Sequence, residues 1–137
     1  MEKSATDLLV QTSFTVVAVL NQAAAENDLS LTQLRVLAIL RDREPRMAAL
    51  AAHLGLDKSS ASGLVDRAVA RGLVRRSPAP DDGRAVVVSL TDAGHTLAAE
   101  VSTQIGTALA PLIGRLGPAD QRRLATLLGR LLVAPDA

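Results

Sequence analysis

The chain has 137 residues and a formal net charge of +1, and 48% of its residues are hydrophobic, which predicts one globular domain with its own core. It contains no cysteine and a single aromatic residue, Phe14, so disulfides, thiolate metal sites and cysteine redox switches are excluded and the core must be aliphatic. No basic leader precedes an apolar run, and no unbroken apolar run approaches the ~20 residues of a membrane span, so we expect a cytoplasmic protein with no membrane partner.

Apolar periodicity and capping residues predict four helices in the first part of the chain. The first extends from about Ser4 to Glu26, and the second from an N-cap at Ser30 to about Asp42. A third covers Met47 to Leu54, and a fourth extends from a cap at Asp57 to about Arg71. A glycine follows each of the last two helices and can end it.

The pattern changes to that of a hairpin after the fourth helix. Leu73–Ser77 and Ala85–Leu90 are predicted strands, and Asp82-Gly83 is the predicted tip, where glycine would supply a positive φ. Thr91 then caps a long fifth helix, and Gly117-Pro118 precedes a sixth. The predicted fold class is therefore mainly α with a small β-hairpin wing: a winged helix-turn-helix with terminal helices.

We expect a single domain over residues 1–137 that has two parts. Residues 30–91 would form the winged helix-turn-helix, and residues 1–29 and 92–137 a helical dimerisation part. The winged part is too small to cover all the apolar stripes of the terminal helices, so a two-fold homodimer is expected; a larger monomeric helical core is the alternative. The residues that need a partner are Leu8, Leu9, Val16, Val17, Leu109, Leu112, Ile113, Leu128 and Leu132.

The fourth helix is the first candidate for a functional element. Its predicted buried face consists of Ala61, Leu64, Val65, Ala68 and Val69, and its polar face of Lys58, Ser59, Ser60, Ser62, Gly63, Asp66 and Arg67. Small polar side chains near a helix N-terminus allow its backbone to approach base edges in a major groove. Serines also cluster at helix starts as caps, but the short helix that precedes this one favours DNA reading.

The hairpin tip, Asp81-Asp82-Gly83-Arg84, is the second candidate. A hairpin can place an arginine in a narrow minor groove, where the negative potential is enhanced. Asp82 would orient Arg84 through a charge-assisted hydrogen bond. For these four residues alone, an ordinary polar hairpin tip is the simpler explanation.

Residues 82–94, with the sequence Asp-Gly-Arg-Ala-Val-Val-Val-Ser-Leu-Thr-Asp-Ala-Gly, resemble the wing signature of the MarR family. In that signature, Asp-x-Arg is followed by a strand, Leu-Thr and Gly. Leu64-Val65-Asp66-Arg67 and the segment Arg71–Arg76 are similar to the end of that family's recognition helix and to the strand after it. The resemblance covers residues 30–94 well, and the order of helices covers the whole chain.

The resemblance implies a repressor that binds a palindromic operator in double-stranded DNA as a homodimer, with recognition helices in successive major grooves and wings in flanking minor grooves. It also implies release by a small lipophilic or phenolic effector, whose binding residues the sequence leaves unknown. Asp66 and Arg67 would anchor the recognition helix, and Asp82 would steady Arg84. By position, the DNA-binding residues are Lys58, Ser59, Ser60, Ser62, Gly63, Arg67, Asp82 and Arg84. Gly63 departs from the family, whose members often have a larger polar or basic residue there.

Other functional classes find little support in the sequence. We expect structural roles for His53 and His95 rather than metal binding, and no catalytic triad, paired-carboxylate site or nucleotide-binding loop is evident, so neither enzyme activity nor a cofactor is predicted. Two alternatives to a specific regulator are a winged-helix protein-interaction module and a non-specific architectural DNA-binding protein. The near-neutral charge disfavours the second, because non-specific affinity comes from phosphate neutralisation.

Overall fold

The computed structural model describes residues 2–133, which form six helices and one two-stranded antiparallel sheet. In chain order the elements are α1 (Ala5–Glu26), α2 (Leu31–Leu40), α3 (Met47–Leu54), α4 (Lys58–Ala70), β1 (Val74–Ala79), β2 (Asp82–Leu90), α5 (Asp92–Ile113) and α6 (Pro118–Leu132). The predicted class, mainly α with a β-hairpin, is confirmed. The ends of the predicted domain, residue 1 and residues 134–137, lie outside the described residues.

Side-chain caps begin four of the helices. Ser4, Ser30, Asp57 and Thr91 each accept a hydrogen bond from the backbone N–H three residues later, which satisfies a donor that the helix itself leaves unpaired. Pro118 begins α6, where its missing N–H costs nothing. The predicted helix starts are therefore confirmed to within about one residue, whereas α2 ends at Leu40, earlier than predicted.

The hairpin differs from the prediction at its tip. The turn consists of Pro80 and Asp81, and Asp82 already belongs to β2. Pro78 pairs with Val86 and Ala79 with Asp82, so the register shifts and residues 83–85 bulge outward. Pro80 provides the fixed φ that the turn needs. Gly83 is not among the glycines with positive φ, and its predicted role at the tip is wrong.

A backbone contact attaches the hairpin to the loop before α3. Arg46 forms an isolated antiparallel bridge with Val87, and the Val88 N–H donates to the Pro45 carbonyl at 2.9 Å. This contact places the N-terminus of α3 beside the wing.

The core lies where α2, α3, α4, the hairpin and parts of α1 and α5 meet. Its largest fully buried side chains are Leu40, Leu50, Val36, Val65 and Val88. Helix α4 buries Ala61, Leu64, Val65 and Ala68 as predicted. Val69 is 38% exposed, contrary to the prediction, because it lies roughly 80° around the helix axis from Ala61, at the edge of the buried stripe.

The apolar stripes of the terminal helices are exposed in the single chain. Helix α6 has no buried residue, and Leu9 and Leu128 are 52% and 41% exposed. Between α1, α5 and α6 lies an open groove of about 800 Å³. We call this surface the terminal apolar face, formed by Leu8, Leu9, Leu109, Leu112, Leu127, Leu128 and Leu131.

Helix α1 is long and apolar enough to span a membrane by length and composition alone. An 18-residue window within Ala5–Glu26 has a mean hydropathy of 1.4, and 11% of that window is buried. Polar side chains such as Gln11, Thr12 and Ser13 interrupt the apolar residues of this helix, so it contains no long unbroken apolar run. The cytoplasmic location and the absence of a membrane partner therefore stay predictions.

Candidate nucleic-acid interface

The chain turns sharply from α3 into α4. Gly55 has a φ of 68°, a left-handed conformation that glycine adopts without steric cost. Two residues later Asp57 begins α4, and its carboxylate accepts a hydrogen bond from the Ser60 N–H at 2.7 Å. This backbone hydrogen bond, with a further one from the Ser60 side chain, lowers the pKa of Asp57. The cap therefore stays ionised at neutral pH and fixes the start of α4.

The predicted polar face of α4 is accessible. Lys58, Ser59, Ser60 and Arg67 are exposed, while Ser62 and Gly63 are half-buried. A Cβ at Gly63 would lie 3.6 Å from Nη1 of Arg67, so the arginine side chain passes beside the glycine. The structure thus brings the predicted residues of α4 together along one side of the helix.

Arg76 of β1 attaches α4 to the wing, a role that the sequence did not reveal. Its Nη2 lies 2.7 Å from Oδ1 of Asp66 and donates to the Ser62 carbonyl at 3.2 Å. Asp66 therefore anchors the helix, as predicted, but through Arg76 rather than together with Arg67. The sequence shows two adjacent arginines in the strand after α4, but it does not indicate that one of them pairs with Asp66.

Asp82 and Arg84 do not make the predicted side-chain contact. Oδ1 of Asp82 accepts a hydrogen bond from the backbone N–H of Arg84 at 3.0 Å, the local pattern of an Asx turn. Among residues 2–133, the guanidinium of Arg84 has no ion-pair partner. Asp82 therefore shapes the bulge from which the exposed Arg84 side chain projects, and the expected charge-assisted bond between the two side chains is wrong.

A second ion pair fixes the turn of the wing. Arg46, the residue before α3, binds the carboxylate of Asp81. Both side chains are largely exposed, at 47% and 72%, so the pair contributes little to stability. Its consequence is geometric, because it holds Arg46 beside the hairpin.

Four basic residues line one cleft: Arg46, Lys58, Arg76 and Arg84. Its volume is about 400 Å³, and it lies between α4, the N-terminus of α3 and the wing. We call it the basic cleft, lined by Arg46, Lys58, Ser62, Arg76 and Arg84 with Met47, Ala48, Ala85 and Val86. Carboxylates hold Arg46 and Arg76, whereas Lys58 and Arg84 have no ion-pair partner within the described part of the chain. The cleft is thus a surface of positive charge beside the polar face of α4, suited to a phosphate backbone.

Sequence comparison identifies relatives over the winged part. The profile of the MarR family matches residues 27–85, which contain α2, α3, α4, β1 and the first residues of β2 as far as Ala85. The HTH-type transcriptional repressor NicR of Pseudomonas putida is 38% identical over 81 residues, which are 58% of this chain and 51% of that protein. The chain spans about half the length, or less, of the curated relatives it matches.

Solved structures match almost the whole chain. MarR from E. coli in its apo form is 25% identical and superposes with a TM-score of 0.80, covering 97% of this chain and 99% of that one. A mutant of the same protein complexed with operator DNA is 26% identical, with a TM-score of 0.72 over 93% of each chain. BpsR of Bordetella bronchiseptica is 27% identical, with a TM-score of 0.76 over 96% and 95%. In its helix order, its wing and these matches, the chain is similar to the winged-helix transcriptional regulators of the MarR family.

Proposed function

We propose that this chain represses transcription by binding a palindromic DNA operator as a homodimer. The observation that carries the proposal is the basic cleft, which lies directly beside the accessible polar face of α4. The similarity to a transcriptional repressor, and to a protein solved with operator DNA, supports it. The family is one of regulators, which favours a binding function over a catalytic one.

The residues of the site divide into two groups on this proposal. Ser59, Ser60, Ser62 and Gly63 face base edges and nearby phosphates in the major groove, because small side chains let the backbone of α4 come close. Lys58 and Arg67 neutralise phosphates, and Arg84 enters the adjacent minor groove. Arg46 and Arg76 line the same cleft, but each is paired with a carboxylate, so Lys58 and Arg84 provide its uncompensated positive charge.

A second copy of the chain covers the terminal apolar face on this proposal. An open groove of about 800 Å³ lined by leucines is unfavourable in water. Two copies related by a two-fold axis would bury it and would also present two recognition helices. Two helices in successive major grooves require two half-sites about 34–36 Å apart, and a two-fold protein therefore matches a palindrome.

We place the effector in a cavity of about 190 Å³ between α2 and α5, lined mainly by aliphatic side chains. Arg41, the C-cap of α2, donates to the Ser102 hydroxyl at 2.9 Å, and an anionic or phenolic oxygen of the effector would replace that hydroxyl as the acceptor. The solved BpsR structure concerns regulation of DNA binding by 6-hydroxynicotinic acid, which supports a small aromatic effector. Ala38→Phe would fill the cavity. Compounds that release the wild-type protein from its operator should then fail to release the Ala38→Phe variant.

Selection of duplexes from a random library with purified protein tests the DNA-binding proposal. The recovered palindrome should bind about 10³-fold more tightly than a scrambled duplex of the same composition. Its affinity should fall steeply as salt rises, because phosphate contacts release counterions. Equal affinity for both duplexes would indicate an architectural protein, and no binding to either would indicate a protein-interaction module.

A further inference from the structure

The corner between α1 and α2 is connected to the end of the recognition helix α4. Arg71, the C-cap of α4, donates from Nη1 to the Asp28 carbonyl at 2.8 Å and from Nη2 to the Asn27 carbonyl at 3.3 Å. A planar guanidinium that binds two adjacent carbonyls fixes orientation as well as distance. These contacts join residues that are more than 40 positions apart in the chain.

The same corner is connected to the long helix α5. The Asn27 side chain donates to the Ala23 carbonyl at 2.7 Å and to Oε1 of Gln104 at 2.8 Å. Asn27 therefore accepts from Arg71 with its backbone and donates to Gln104 with its side chain. A continuous set of hydrogen bonds extends from the end of α4 to the middle of α5.

The backbone at this corner contains a residue in the left-handed conformation. Asp28 has a φ of 55° and is the only residue other than glycine with a positive φ in the described part of the chain. The turn is closed by the Leu29 N–H, which donates to the Ala24 carbonyl at 2.9 Å. A left-handed non-glycine residue is costly and persists where its surroundings fix it. Here it directs the Asp28 carbonyl toward Arg71.

A second attachment of α4 to α5 shows why the corner matters. The Thr91 hydroxyl, at the start of α5, donates to the Gly72 carbonyl at 2.6 Å. Thr91 and Gln104 lie roughly 20 Å apart along α5 at 1.5 Å per residue. The core packing of α4 fixes its general position, and two attachments to α5 that lie this far apart further restrict the direction of α4 relative to α5.

We propose that Arg71, Asn27 and Gln104 are positioning residues that set the angle of the recognition helix against α5, and thereby the spacing of the two recognition helices in the dimer. The inference rests on the proposed function. Inserting one base pair between the half-sites increases their separation by about 3.4 Å and rotates one half-site relative to the other about the DNA axis. A dimer with firmly held helices must discriminate against that insertion, and a dimer with loosened helices must tolerate it better.

Two duplexes test the link: the palindrome selected with wild-type protein, and the same palindrome with one base pair inserted at its centre. We expect Arg71→Ala to lower affinity for the palindrome about threefold to tenfold, the size of one or two net hydrogen bonds. The ratio of the two affinities should fall by a similar factor. A smaller folded fraction or a lost positive charge weakens binding to both duplexes alike, so the ratio reports positioning alone.

Variants on α5 provide the second measurement and the control. Gln104→Ala replaces an exposed residue by a good helix former and should lower the same ratio, and its effect should add only partly to that of Arg71→Ala. Thr103→Ala is the matched control, because Thr103 bonds only its own helix, at the Ala99 carbonyl, and the ratio should not change. If both Arg71→Ala and Gln104→Ala bind the palindrome specifically and keep the wild-type ratio of the two affinities, the positioning role of these residues is refuted while the proposed function stands. A wild-type protein that prefers no duplex refutes the proposed function itself.

Discussion

Thr91 and Gly94, two residues of the wing signature, have roles in packing. The Thr91 hydroxyl accepts from the Gly94 N–H at 3.1 Å while donating to the Gly72 carbonyl. Gly94 is buried where α5 crosses the start of the wing, and a Cβ there would lie 2.0 Å from the Leu73 carbonyl oxygen. The threonine and the glycine of the signature therefore hold the first turn of α5 against the hairpin.

Gly94→Ala should lower the free energy of unfolding by about 1–3 kcal/mol, the usual cost of overpacking a filled site. The obstructing atom belongs to the backbone and cannot rotate away. Gly106→Ala is the matched control, because Gly106 lies in the same helix with nothing within 4 Å. It should raise stability by about 0.5–1 kcal/mol. Urea unfolding measures both, and equal stability of the two variants would contradict the close approach at Gly94.

Arg84 is the residue whose loss should separate DNA binding from folding. Its side chain is exposed and projects from the bulge of the wing, so Arg84→Ala should leave the thermal midpoint nearly unchanged. Operator affinity should fall by about 1–3 kcal/mol, the size of one well-placed arginine contact. Titration of a labelled operator duplex measures the loss.

The contact between Asp82 and the Arg84 N–H sharpens this prediction. Because Asp82 only accepts a backbone hydrogen bond, Asp82→Asn keeps an acceptor and should bind almost like wild type, while Asp82→Ala should lose affinity. The control for Arg84→Ala is Arg122→Ala on α6, which also removes one positive charge but lies outside the wing. If Arg84→Ala bound the operator no more weakly than Arg122→Ala, a groove-reading role for the wing would be excluded.

The helices and their ends are the elements that local sequence signals predicted best. An N-cap such as Ser30 or Thr91 and a C-terminal glycine such as Gly55 act within one turn of chain, so neighbouring residues suffice to identify them. The hairpin tip was predicted less well, because Pro80 and Gly83 both favour turns and periodicity could not rank them. Pro80 determines the turn, and Gly83 lies in the bulge.

The basic cleft could be predicted only in part, because it depends on distant segments meeting. Lys58 and Arg84 were identified from the helix and the wing in which they lie. Arg46 precedes α3 in a loop, and Arg76 lies in a strand with another arginine beside it, so neither has a local signal. Their positions follow from contacts across the fold: the bridge of Arg46 to Val87 and the ion pair of Arg76 with Asp66.

At the scale of the whole molecule, the chain has one well-packed part and one incompletely covered part. The winged part buries the core, whereas α6 buries no residue and Leu131 and Leu132 are 66% and 84% exposed. Sequence periodicity identified these apolar stripes but could not show how much of them the winged part covers. A connected apolar surface of this kind marks an interaction site, and on the proposed function a second copy of the chain would cover it with the two-fold symmetry that a palindrome demands.

Wild-type protein should therefore sediment as a dimer at micromolar concentration, and Leu128→Asp should shift it toward monomer, because a charge in a desolvated interface is costly. Val69→Asp is the matched control: the side chain is exposed to a similar extent, 38% against 41% for Leu128, but it lies on α4, outside the terminal apolar face. Its sedimentation should match that of wild type, and circular dichroism should show that both variants keep their helices. Operator affinity should fall sharply in Leu128→Asp, since a monomer presents one recognition helix to a two-part site. A wild-type protein that sediments as a monomer, or a Val69→Asp variant that dissociates as readily as Leu128→Asp, would contradict dimerisation through the terminal apolar face.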